Sequence, residues 1–286
     1  MPARNSPFDR STPVEVIIQP VQTSASFMAS IRSFEPPPGS LAIWFLGQNG
    51  FLLKERDGPL IAIDLYLTDS CAAKFAHLPY RLNRQLPVFI EPEDLDVDFF
   101  LTTHSHDDHA DPETLARMRR EKPIFVGPFD SVSRYLECGV AKEACRLIHP
   151  GQELNLDSST SVSATFALPT DSTDLNHVGY LIRFSNGITF YDSGDTAYSE
   201  RLPCLLPSGV DICAICINGG FHNLSPQEAA SVVNTVRPRV AIPCHYDMMV
   251  NNLGLPEMFR VALENLHSQA TFTVLEYYKP WVYRKP

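Results

Sequence analysis

No stretch of this 286-residue chain approaches the roughly 18 consecutive apolar residues of a membrane-crossing helix. The N-terminal segment also lacks the apolar core of a secretory signal. Basic residues are in the minority, 23 Lys and Arg against 33 Asp and Glu, and the net charge of −10 excludes a nucleic-acid backbone as a general partner. The acidic excess is spread, without an acidic tail or a like-charge block. Internal repeats, low-complexity tracts and linkers are missing too, so nothing divides the body of the chain. Cysteine pairing is not indicated. The seven cysteines, at 71, 138, 145, 204, 213, 216 and 244, are odd in number and irregularly spaced, which reads as a reduced, cytoplasmic chain. Cys213-Ala-Ile-Cys216 has the spacing of a metal knuckle. It lies inside the strand-like run Val210–Ile217, where residues three apart face opposite sides, so both are read as core thiols.

What is present is enough apolar sequence, 44%, to bury a substantial core. Residues 1–24, with Pro, Ser, Arg and Thr, read as a flexible arm, and residues 25–286 as one domain. Short apolar runs recur between turn signals such as Gly47-Gln-Asn-Gly50 and Ser185-Asn-Gly187. Helical patterns fall at Ala25–Phe34, Pro112–Arg120, Ser131–Cys138, Ser225–Thr235 and Pro256–Leu266, the fourth opened by the cap Ser225-Pro-Gln-Glu228. Thr68–Pro92 is an irregular segment, read equally well as a pocket wall or a surface insertion. Strands in two groups with helices outside imply an α/β sandwich of two mixed sheets.

The most informative stretch is Leu101-Thr-Thr-His104-Ser-His106-Asp-Asp108-His109-Ala110. It places three histidines and two aspartates within six residues, directly after the buried-strand run Val97–Leu101. Imidazole nitrogens with carboxylate oxygens suit zinc, manganese, iron or nickel, and suit calcium poorly. Two later strand-like runs also end in ligand-type residues, Asp192-Ser-Gly-Asp195-Thr and Ile242-Pro-Cys-His245-Tyr-Asp247. His222 lies on the glycine-containing loop Asn218-Gly-Gly-Phe-His222, where it is a candidate to touch substrate or protonate a leaving group. His149 and His267 read as structural, and His77 is unassigned.

The spaced pattern His-x-His-x-Asp-His resembles the metallo-β-lactamase superfamily, which implies an αβ/βα sandwich with one or two ions at the edge of two facing sheets. Carried onto this chain, the resemblance implies His104 and His106 on a first ion, and Asp108, His109 and His245 on a second. Asp195 would bridge them, and Asp64 would support a ligand histidine from behind. A third ligand for the first ion is implied upstream of Asp195, where His177 is preferred and Asp171 is the alternative. Gly39-Ser-Leu-Ala-Ile-Trp44-Phe-Leu-Gly47, Ile63-Asp64-Leu-Tyr and the two later motifs are similar to the L-ascorbate-6-phosphate lactonase branch. That likeness implies a metal-dependent hydrolase using a metal-activated water on a lactone or cyclic ester of a phosphorylated sugar acid, with Mn2+; the wider superfamily implies Zn2+. Asp108, Asp195 and His222 are the expected proton-handling residues. Arg81, Arg84 and Arg183 are candidates to bind an anionic group. The expected partner is a small molecule, anionic ones included; neither nucleic acid nor membrane is expected, and a homo-oligomer is left open. A phosphodiesterase on the same dinuclear site and a non-catalytic metal-binding sensor are the rival readings.

Overall fold

The computed structural model describes residues 22–286, so the arm expected over 1–24 lies, up to residue 21, outside the described residues. The chain begins with helix α1 (Ser24–Ser33), capped by Thr23. A first sheet is then laid down by β1 (Ser40–Phe45), β2 (Phe51–Glu55), β3 (Leu60–Ile63), β4 (Phe99–Leu101), β5 (Ile124–Gly127) and β6 (Cys145–Leu147). A second follows, from β7 (Glu153–Asn155), β8 (Ser161–Phe166), β9 (Val178–Arg183), β10 (Thr189–Asp192), β11 (Ile212–Cys216), β12 (Val240–Cys244) and β13 (Thr271–Phe272). The last strand, β14 (Trp281–Arg284), returns to the first sheet beside β1. Each sheet has three antiparallel pairings on one side and three parallel pairings on the other.

Alternation along the first sheet decides what each face covers. Leu41, Ile43, Phe45, Phe51 and Leu53 join the core between the sheets. Their neighbours Ala42, Trp44 and Leu52 belong to a second core with Phe27 and Ile31 of α1. Helices α2 (Ser70–Lys74), α3 (Pro112–Arg117) and α4 (Phe129–Glu137) belong to this first half. Helices α5 (Pro226–Val236) and α6 (Pro256–Asn265) pack into the core of the second sheet. The capping box read from Ser225 and Glu228 is formed. Phe51 meets Phe190 edge-on across the two sheets, with centroids 5.6 Å apart. Far from the ligand-bearing edge, buried Glu55 on β2 accepts hydrogen bonds from the Ser185 N–H (3.0 Å) and hydroxyl (2.7 Å), pinning the β9–β10 turn. Cys213 and Cys216 are fully buried core residues.

The parallel strands aim their C-terminal ends at a common edge, the place where open α/β sheets bind ligands. Segment 68–92 forms a wall over it. The segment contains α2 and is joined by main-chain hydrogen bonds to 246–254: Gln85 N–H to Met248 O (2.6 Å), Val250 N–H to Asn83 O (3.2 Å) and Asn251 N–H to Arg81 O (3.1 Å). The edge strand β6 was not anticipated; it is short and largely exposed, and carries no alternating pattern. No helix among the described residues is long and apolar enough to cross a membrane.

Removing the aromatic ring that joins the sheets should be costly. Phe190→Ala is expected to lower unfolding stability by about 3–5 kcal/mol, measured by urea denaturation; a loss under ~1 kcal/mol would show that the sheets are not held through this contact.

Candidate metal centre

The centre is assembled by strand ends and by the turns that close them. Asp64 follows β3 with a left-handed backbone, φ 46°. Its fully buried carboxylate accepts hydrogen bonds from the Thr103 N–H (2.7 Å) and hydroxyl (2.6 Å), from Asn49 (2.8 Å), and from His109 Nδ1 (2.7 Å). A proton is thereby held on His109 Nδ1, and Nε2 is the nitrogen left to face inward as a lone pair in the neutral ring. The same logic repeats at its neighbours. His104 Nδ1 meets Thr103 Oγ1 at 3.0 Å, His106 Nε2 meets Thr173 Oγ1 at 3.1 Å, and His177 Nδ1 meets the Asp195 carbonyl at 3.0 Å. Tautomers assigned from these partners leave four inner nitrogens without protons.

Those nitrogens converge. His104 Nε2 and His106 Nδ1 lie 2.9 Å apart, and the His104 and His177 rings stack at 4.0 Å. The donor atoms of His104, His106 and His177 fall within 4.8 Å of one another, as do those of Asp108, His109 and His245 and those of His104, His109 and Asp195. Asp195 Oδ1 stands between the groups, 3.4 Å from His109 Nε2 and 3.1 Å from His245 Nε2, while Asn223 donates to its Oδ2 at 2.7 Å. His109 Nε2, His177 Nε2 and Asp195 Oδ1 are buried with no hydrogen-bond partner in the protein. Buried unpaired acceptors are rare because each costs about 1–3 kcal/mol. A cluster of them facing one another fits a divalent cation, and the donor set of imidazoles and carboxylates is of the right type.

The electrostatics agree with this division. Burial, then the neighbouring His177, His109 and His106, hold His104 well below its ordinary value, and burial lowers His177. Burial would lower His109 and His245 as well, but Asp195 and Asp108 outweigh it and raise both, so a proton competes with a cation for their inner nitrogens. Burial opposes ionisation of Asp108 and Asp195, yet the same two histidines hold both carboxyls far below the usual range. Behind them, burial and then Asp64 push Asp192 well up; Asn49 donates to it at 3.0 Å.

The structure therefore brings together His104, His106, Asp108, His109, His177, Asp195 and His245, with Asp64 behind His109. His177, rather than Asp171, completes the first trio: Asp171 is exposed and lies 3.4 Å from the outer nitrogen of His106. His222 is corrected. Phe221 and His222 both have left-handed backbones, φ 52° and 65°, and His222 is exposed, while Phe221 and Asn223 beside it line the cleft. The arginine candidates are corrected as well. Arg84 donates to the carbonyls of Tyr66 (2.7 Å), Leu86 (2.7 Å) and Pro87 (2.9 Å), Arg183 contacts Ser163 at 2.8 Å, and Arg81 is exposed outside the cleft. The cations lining the cleft are instead Lys74 and Arg134, both paired with Asp107 at 2.5 and 2.7 Å. Gln48, Asn49 and Asn223 were missed; their signal was a polar residue just past a strand end. The cleft, about 400 Å³, opens over His106, Asp108, Asp195 and His245.

A sequence profile described as the beta-lactamase superfamily domain matches residues 42–245. A metal-dependent hydrolase of Anaeromyxobacter sp. strain K is 27% identical over 255 residues, covering 85% of this chain and 86% of that one. A "Probable L-ascorbate-6-phosphate lactonase UlaG" of Salmonella heidelberg is 24% identical over 277 residues, covering 82% of this chain and 77% of the relative. Among solved structures, the metallo hydrolase Igni18 of Ignicoccus hospitalis superimposes with a TM-score of 0.66 at 18% identity, covering 86% of this chain and all of that one.

Because the donors converge only in the folded chain, cation uptake and stability are coupled. Mn2+ or Zn2+ at about one hundred times its Kd is expected to add about 2.7 kcal/mol of stability, read as a rise in Tm that a chelator reverses. Asp64→Asn is expected to weaken cation uptake about 10–100-fold, measured by metal analysis after dialysis. A melting curve indifferent to metal and chelator would contradict the assignment.

Proposed function

The chain belongs to the beta-lactamase superfamily, and from that footing we propose that it is a metal-dependent hydrolase opening a lactone or similar cyclic ester. The observation that carries the reading is the pair of convergent, unpartnered donor groups at the floor of a small-molecule cleft. Bound there, divalent cations would supply Lewis acidity, polarising an ester carbonyl and activating water near neutral pH.

The remaining work falls to this chain's side chains. Asn223 fixes one oxygen of Asp195 and leaves the other turned toward His109 and His245. Asp108, kept ionised and partly exposed in the cleft, is the group placed to take a proton from attacking water. Lys74, Arg134 and Asp107 together carry one net positive charge at the rim, room for one anionic substituent. Another part of the lining is an apolar wall, made by Phe75, Tyr80, Leu82, Phe221 and Met249, with Tyr80 and Phe221 packed edge-on at 5.1 Å. It excludes water and favours a substrate with an apolar face. The phosphorylated sugar acid implied by the lactonase likeness has a seat for its phosphate but would set its hydroxyls against this wall.

The metal-loaded protein is tested on γ-butyrolactone, γ-nonalactone, gluconolactone with and without a 6-phosphate, and bis-p-nitrophenyl phosphate. Lactone opening is expected, with kcat/KM rising about fourfold per buried methylene and the gain lost in Phe221→Ala. Asp195→Asn is expected to lower the rate by more than the about 10–100-fold that loss of an outer partner costs. Cleavage of the phosphodiester alone would replace this reading with a phosphodiesterase; metal binding without any turnover would leave a non-catalytic sensor.

A further inference from the structure

The turn between β1 and β2 sends two neighbouring amides into the centre, and they differ in one respect. Asn49 is fully used: its Nδ2 donates to Asp64 and Asp192, and its Oδ1 accepts from Cys244 Sγ at 3.0 Å. Gln48 is equally buried, but its Oε1 has no partner. Its Nε2 lies 2.6 Å from Asp108 Oδ2 and 2.9 Å from His245 Nε2. Those two atoms are themselves 3.3 Å apart and belong to the Asp108–His109–His245 group. An amide nitrogen thus occupies the mouth of a donor cluster suited to a cation, while the matching oxygen is left idle.

From this we infer that Gln48 is a further protein ligand of the cation position formed by Asp108, His109 and His245, through its amide oxygen. A half-turn about the last side-chain bond exchanges Oε1 and Nε2 without moving the rest of the residue. The oxygen would then face the Asp108 carboxylate oxygen and, once His245 Nε2 gives up its proton, an imidazole lone pair, an arrangement that repels unless a cation lies among them. Leaving the displaced amide N–H groups unpaired has a cost. That is small beside the binding free energy of a dication held by several protein donors. Without a cation the amide donates to Asp108 and keeps it in place.

The backbone leaves Gln48 little other freedom. Its φ is 56°, its N–H donates to Asp247 Oδ1 at 2.8 Å, and its carbonyl accepts from the His245 N–H. Asp247 is held in turn by the Tyr277 hydroxyl at 2.5 Å. Before it, Gly47 has φ 85°, and a Cβ there would come within 2.5 Å of Leu86 and 2.7 Å of Met248. The remaining adjustable part is the side-chain amide itself.

The inference rests on reading the cluster as a metal centre, and the test separates the two. Full-length wild type, Gln48→Met and Gln48→Glu are titrated calorimetrically with Mn2+ and with Zn2+ and analysed for bound metal after dialysis. Circular dichroism melts confirm that each variant folds. Wild type is expected to take up two ions. Gln48→Met, close in shape but without an amide, is expected to keep one at wild-type affinity and bind the second at least ~10-fold more weakly. Gln48→Glu, which offers a charged oxygen in place of the amide oxygen, is expected to bind the second more tightly than wild type, and Co2+ spectra of wild type and Gln48→Met should differ at one site only. Two ions bound to Gln48→Met as tightly as to wild type, or more tightly, would overturn the assignment of Gln48, as would a wild type that takes up one ion. A wild type that binds none would overturn the metal centre itself. Should Gln48→Met fail to fold, the Gln48→Glu titration decides: a second ion bound no differently from wild type counts against ligation.

Discussion

Four imidazoles turn their inner nitrogens toward one another at the floor of the cleft, and the protein provides no hydrogen-bond partner for those of His109 and His177. Two lone pairs facing each other at 2.9 Å, as at His104 and His106, repel. The arrangement is sustained because each ring's other nitrogen is tied down by a hydroxyl, a carboxylate or a carbonyl oxygen. Those outer partners choose the tautomer, and the tautomer chooses which way each lone pair points. Cation affinity and the chemistry of the cleft descend from that choice.

Holding such groups together has a backbone cost. Gln48, Asp64 and His245 all have left-handed φ values without being glycine, a strain of about 1–3 kcal/mol each. The two seven-stranded sheets are the framework that sustains it, each delivering ligands from the ends of its strands. Gly194 ties the halves closely: with φ 55°, it packs where a Cβ would lie 2.7 Å from Thr103, so the loop after β10 sits directly on the loop that bears His104.

Much of this was legible in the sequence because the chemistry is dense there. The run His104–His109 is contiguous and follows a buried strand. Asp195 and His245 stand alone, and only a family resemblance ties them to that run. What failed did so for directional reasons. His222 is a better ligand type than Asn223, but the backbone at 221–222 turns the histidine out and the asparagine in. Arg84 has the charge to hold an anion, but its guanidinium is saturated by main-chain carbonyls. Gln48 and Asn49 sit in a stretch that reads correctly as a turn, and turn signals conceal what the side chains reach. Residue type is written in a sequence; aim is set by torsions that only the folded chain fixes.

The wall over the cleft is stitched to 246–254 by backbone groups at residues 81–85, with Leu82 packing against the cluster of Met248 and Met249 and Tyr80 reaching Phe221 instead. The main-chain part of that attachment does not depend on what those side chains are. The molecule separates a fixed reactive floor from an interchangeable ceiling, so new selectivity can be reached by substitutions that leave the ion-holding framework untouched.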